Sequence, residues 1–221
     1  MAFWARRLGL LCVLAICCSA VPARAEWTAA AYLGASHTAA ATLTVDLTSP
    51  KVHEVHDDVH FESRSFDSPQ YFGYRSGWFP SADARIGIEG ELTHLKVYAA
   101  EGVLGPMVQR FSISHGLNLV LANVVWRTPL GKGVQLTARG GAGFAMPHGE
   151  SQILGVYQEQ YEISSAAFQG AVGIEKRFRQ HISAFGELKL TTASPKVHVS
   201  GGTIDGRYFS QHVAFGLGVW F

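Results

Sequence analysis

The sequence predicts an all-β fold, an eight-stranded antiparallel up-and-down transmembrane β-barrel, on three observations. Apolar residues alternate with small or polar ones along segment after segment, the period-two signature of strands with two unlike faces. The connections between those segments are alternately long and short, which is the rhythm of outer-membrane barrels. The last segment carries an unbroken apolar face, Val213, Phe215, Leu217, Val219 and Phe221, and ends the chain on an aromatic. That is the pattern outer-membrane proteins present to their assembly machinery, an expected partner.

The first residues are expected to lie outside the fold. Arg6 and Arg7 precede an apolar run at 8–20, and Ala23, Arg24 and Ala25 supply an A-x-A cleavage site, so residues 1–25 read as a secretory signal peptide and 26–221 as the barrel. The apolar run is too short to span a bilayer as a helix. Cys12, Cys17 and Cys18 all fall in this leader, leaving the mature chain without a disulfide, a thiolate nucleophile or a cysteine-held metal. The leader also takes three of the 18 basic side chains and none of the 17 acidic ones. A near-neutral, slightly acidic chain has no footprint for nucleic acid.

Taken in order, residues 27–36 form the first strand. The long polar stretch 37–70 follows, with short strands expected at 42–47 and 59–66 extending a hairpin beyond the barrel rim. Its histidines His53, His56 and His60, with Asp57 and Asp58, read as a solvated loop with adventitious metal affinity rather than a dedicated site. Strands follow at 71–79 and 85–98 around the turn at 80–83, then at 109–126 after a longer loop at 99–108. A Gly/Pro turn at 128–133 leads to a strand at 134–145, and 146–162 is again a long connection. Strands at 163–178 and 182–191 flank a tight turn, 193–207 loops out, and 208–221 closes the sheet. A membrane sheet must close, because the bilayer offers no water to an unpaired edge.

Face assignments give the interior. Ala214, Gly216 and Gly218 are small, as an eight-stranded barrel with little internal room requires, which argues against a pore. Arg75, Glu89, Glu91, Arg139, Glu175, Glu187 and Lys189 fall on the lumen face, where their signs allow pairing. In the strand at 109–126, Ser112, Ser114, Gly116 and Asn118 share one face, and Ile113, His115, Leu117, Leu119 and Leu121 share the other, read as lipid-facing.

The residues with chemical potential are histidines near the long-loop end. The midpoint of the loop at 99–108 lies between Leu104 and Gly105, and counting outward pairs His94 with His115, both pointing out of the barrel. Lys96 shares their face. Two such histidines suit metal binding, with a divalent ion as candidate cofactor held by His94 and His115, or acid–base work, or contact with lipid phosphate and sugar. The plain alternative is a pair of interfacial side chains at headgroup depth. His148 and Glu150, two residues apart, open the next long connection, and His212 starts the last strand. No nucleophile elbow, H-E-x-x-H or phosphate-binding glycine loop occurs.

The segments QRFSISHGLN, FGYRSGWF, IGIEGELTHLKVYA and GGAGFAMPHGE together resemble the outer-membrane barrel family of lipid A oxidases, with SHGLN, THLKVYA and PHGE the specific parts. Membership implies oxygen-dependent conversion of the proximal glucosamine of lipid A to an aminogluconate unit. The implied substrate and partner is lipid A, the outer-leaflet part of lipopolysaccharide, lying beside the barrel. On that reading His94, His115 and His148 are the candidate catalytic residues, and Lys96, Asn118 and Glu150 the candidate substrate-binding ones. These roles come from position and side-chain chemistry, since no family catalytic residue is carried over. The alternative is a non-catalytic small barrel with a structural or surface-interaction role.

Overall fold

The structure is a computed structural model that describes residues 25–221; the signal peptide expected at 1–25 lies, apart from Ala25, outside the described residues. Fourteen strands build two sheets. The barrel strands are β1 (Glu26–Thr38), β5 (Phe72–Phe79), β6 (Ile86–Ala99), β7 (Val108–Gly131), β8 (Val134–Ile153), β10 (Ser165–Arg179), β11 (Ile182–Ala193) and β14 (Tyr208–Trp220). Each pairs antiparallel with the next, β8 with β10 and β14 with β1, so the sheet closes as an eight-stranded up-and-down barrel. A second sheet, in the order β12 (Lys196–Val199), β13 (Gly202–Gly206), β2 (Ala41–Thr48) and β3 (Lys51–Val59), is formed by two of the long connections. Two short strands complete the set: β4 (Phe61–Glu62) pairs with β6, and β9 (Val156–Tyr161) with β8.

The wall separates two environments. Outward positions carry an exposed apolar band that includes Ile86, Ile88, Val124, Val172, Ile174, Leu188, Phe215 and Leu217. Aromatics border it: Trp27, Trp126, Phe178 and Phe221 at the short-turn end, and Phe144, Phe168 and Phe209 at the other. From Phe168 to Phe178 is the length that a tilted strand needs to cross hydrocarbon. A closed sheet with this girdled band is a membrane-spanning barrel of the outer-membrane type.

Inside, the expected charged lumen is present. Arg75 Nε donates to Glu91 at 3.1 Å and Arg139 Nε to Glu89 at 3.1 Å. Glu187 pairs with both arginines, and Lys189 with Glu91. Three cations thus meet three carboxylates within the barrel, with Tyr32, Asn123 and Gln169 donating further bonds to Glu91. Small inward residues make the room: a Cβ at Gly73 would lie 2.0 Å from the Tyr32 ring. At the short-turn end Glu26 accepts from Arg127 at 2.7 Å and Arg177 at 3.0 Å, while the Arg177 guanidinium covers the Trp220 ring at 3.5 Å.

Above this polar layer the interior turns apolar, which corrects one face assignment. Leu117, Leu119 and Leu121 point inward, and they join Leu43, Val45, Val197 and Ile204 of the second sheet in one continuous buried cluster. The reason is the cap: the four-stranded sheet lies over the mouth, so the upper lumen is dry and needs leucines, and Asn118 is the residue left facing out. Two regions expected as loops are strands for the same reason, because β8 runs on to Ile153 and 196–206 form a hairpin that packs into the cap. Leu43 is fully buried there. Leu43→Ala is expected to loosen the cap by about 2–5 kcal/mol. Limited proteolysis should then cut within residues 39–71 while the barrel strands stay protected.

Candidate functional site

Beyond the mouth, β7, β8 and β9 continue as a three-stranded extension of the wall. Its inner face packs on the cap, with Gly149 against Val197. Its outer face is polar and stands directly above the lipid band. The top apolar row is Tyr74, Leu92, Val120 and Phe144, joined strand to strand. The next outward row is Phe72, His94, Asn118 and Met146. Above that come His148 opposite Tyr161 and Glu150 opposite Glu159.

The hairpin register corrects the expected histidine pair. His94 lies opposite Asn118, not His115: the loop-side register sets Val97 against Ile113, one position away from the counted pairing, and β7 then holds two extra residues between Ile113 and Leu117 relative to both neighbours. The bulge is built on Gly116, whose φ of +117° suits glycine. A Cβ there would also sit 2.3 Å from the His94 ring. Regular alternation from the inward leucines would turn His115 into the barrel. The bulge turns it out, with its side chain half exposed.

His115 is then held from below by a carboxylate. Its Nδ1 lies 2.6 Å from Glu150 Oε1, the same oxygen that accepts from the Ser114 hydroxyl. Arg110 Nη2 stands 3.5 Å from the other oxygen of Glu150. With Nδ1–H donating to Glu150, the neutral imidazole offers Nε2 as a free acceptor. The His148 ring centroid lies 4.8 Å from that of His115 and 3.7 Å from that of Tyr161. His148 Nε2 meets Glu159 Oε1 at 2.7 Å, and its buried Nδ1 has no hydrogen-bond partner. The Tyr157 hydroxyl donates to Glu159 at 3.0 Å and, with His148 close by, holds that carboxyl below the usual carboxylate range, so it is charged at neutral pH.

Among the described residues, His115, His148 and Glu159 form the group suited to hold a metal, their ligand atoms lying within 4.8 Å of one another. His94 is not in it: its Nδ1 is 2.9 Å from Asn118 Oδ1 and its ring stacks on Phe72, so the metal pair expected from spacing is replaced. No family model and no curated protein matches the chain. Solved outer-membrane barrels are similar to it in fold. Neisserial surface protein A shares 12% identity at a TM-score of 0.45, over 88% of this chain and 97% of that one. The attachment invasion locus protein Ail of Yersinia pestis shares 13% at 0.44, over 90% and 99%. OprG of Pseudomonas aeruginosa shares 10% at 0.43, over 90% and 96%.

The structure therefore gathers His115, His148 and Glu150 of the expected residues. His94 and Asn118 form a bonded pair one row nearer the lipid. Lys96 is buried, with Nζ donating to the Asp67 carbonyl at 2.9 Å, beside the Tyr98 ring. Sequence reasoning missed Ser114, Arg110, Glu159 and Tyr161. The signal for the last two was the alternation of Tyr157, Glu159 and Tyr161 within a stretch read as a loop.

Proposed function

We propose that this barrel oxidises the proximal glucosamine of outer-leaflet lipid A to an aminogluconate unit, using oxygen. The supporting observation is the position of the His115–Glu150–His148–Glu159 cluster on the outward face, in the rows above the apolar band. A lipid whose acyl chains lie against that band has its sugar headgroup at this height. Turning a sugar's anomeric carbon into a carboxylate breaks the C1–H bond and passes its two electrons to oxygen, which leaves as hydrogen peroxide, while water opens the resulting lactone and supplies the added oxygen atom; a base must take the proton of the anomeric hydroxyl. His115 has the form of that base, since Glu150 fixes one nitrogen and leaves the other free toward the surface. The lumen network takes no part in this reading, because the cap and the paired charges close it.

Mass spectrometry of lipid A from an oxygenated host, with and without the protein, tests the proposal. The expected product is heavier by one oxygen atom. His115→Ala should lower its yield by at least a hundredfold, the lower end of the usual range for loss of a general base of about 10²–10⁴. Heat-modifiable migration should be retained. Unmodified lipid A in the expressing host sinks the reading. It would favour the competing one, a non-catalytic barrel whose four-stranded cap makes surface contacts through the open edge of β3.

A further inference from the structure

We propose that His115, His148 and Glu159 bind a single divalent transition-metal ion at the outer rim. The site goes beyond the lipid A reading and stands on its own geometry: with Nδ1 held by Glu150, an ion takes His115 Nε2, the nitrogen that would otherwise serve as base, so metal-bound His115 acts as a ligand and not as the base. Two imidazoles and one carboxylate form the donor set that favours first-row transition ions over the oxygen-seeking calcium and magnesium, and the one that leaves coordination positions open. Three chain segments contribute: the β7 bulge brings His115, β8 brings His148, and β9 brings Glu159.

Two features separate the group from an ordinary surface cluster. The first is His148. Its ring is buried against Tyr161, its Nδ1 bonds to nothing, and Glu159 is its polar partner. Buried histidine nitrogens are mostly satisfied; His94 and His212 each also leave one unpaired among the described residues, and what distinguishes His148 is that its other nitrogen faces Glu159 beside the His115 ring. The second is the support behind His115. A metal-bound imidazole usually gives its other N–H to a carboxylate, which fixes the tautomer and ring orientation. Glu150 occupies that place at 2.6 Å, and Ser114 and Arg110 hold Glu150 in turn.

The spacing needs only a small closure. Atoms bound to one ion at about 2.1 Å lie at most about 4.2 Å apart. The widest separation here is 4.8 Å, and His115, half exposed on a bulge, has the freedom to close it.

Cobalt(II) titration of the folded barrel in detergent, followed by visible absorption and by metal analysis after desalting, tests the site. The background carries H53N, H56N and H60N, so that the histidines of β3 and its flank do not contribute. One equivalent of cobalt with ligand-field bands is expected. His148→Ala should abolish it, and Glu159→Gln should weaken it by at least tenfold. Glu159 is partly exposed, so its near-isosteric variant answers the question even if His148→Ala misfolds. Glu150→Gln should weaken binding by about 10–100-fold as the outer partner, whereas His94→Ala should retain the ion. Unchanged stoichiometry and affinity in both His148→Ala and Glu159→Gln overturn the proposal, as does loss of the ion in His94→Ala alone. The measurement contains no lipid. A barrel that binds cobalt but leaves lipid A unmodified disposes of the oxidase reading and leaves the metal site standing.

Discussion

Replacing Glu91 with alanine is expected to destabilise the barrel by about 3–5 kcal/mol, the usual cost of removing one partner from a buried ion pair. Arg75, Lys189, Tyr32, Asn123 and Gln169 all donate to this one carboxylate. Without it Lys189, fully enclosed, keeps only Glu187 at 3.9 Å as a counter-charge. The lumen would hold three cations against two carboxylates. Urea unfolding of the barrel in lipid vesicles measures the loss. Glu91→Gln should cost less, because its amide oxygen still accepts. An alanine variant as stable as the parent would show that water enters the lumen and screens the network.

Gly116→Ala is expected to cost about 1–3 kcal/mol in backbone strain and to cut lipid A oxidation by about a hundredfold, the effect of roughly 1 Å of misplacement in a catalytic arrangement. The backbone at φ +117° disfavours a side chain, and the added methyl points into the His94 ring. To relieve the collision, either His94 leaves Phe72 and Asn118 or the bulge shifts, which carries His115 off Glu150. Barrel assembly should survive, since the ladder below Leu117 is regular. Product yield and the thermal midpoint in detergent report the two effects separately. Full activity in Gly116→Ala would place His94 and the bulge geometry outside the working site.

The two predictions probe different kinds of legibility. Glu91 was assignable to the lumen because strand β6 alternates without interruption from Ile86 to Leu95, and a period of two fixes every face once one is known. Strand β7 carries a stronger hydrophobic pattern, yet of its expected lipid-facing side His115 points out while Leu117, Leu119 and Leu121 point in. Leucines at 117, 119 and 121 look lipid-facing to a reader of one strand. They are internal because a cap made from residues 41–59 and 196–206 makes the upper lumen apolar. Local pattern shows that two faces differ and does not show which face is dry.

The sequence by itself determined the barrel: strand number, the alternation of long and short connections, the neutral charged lumen and the small inward residues of β14 all follow from local periodicity. It also marked His115 as chemically unusual, an imidazole near the end of a strand face read as lipid-facing, and His148 and Glu150 as a histidine and carboxylate two apart opening a long connection. Only the tertiary structure decided what these residues face. The loop-side register and the two-residue bulge at Gly116 together moved the partner of His94 from His115 to Asn118, and the pairing of β9 with β8 brought Glu159 to His148. Both are matters of register between strands, set by packing against the cap and by one glycine's backbone, and neither is encoded in the spacing of residues along a single strand.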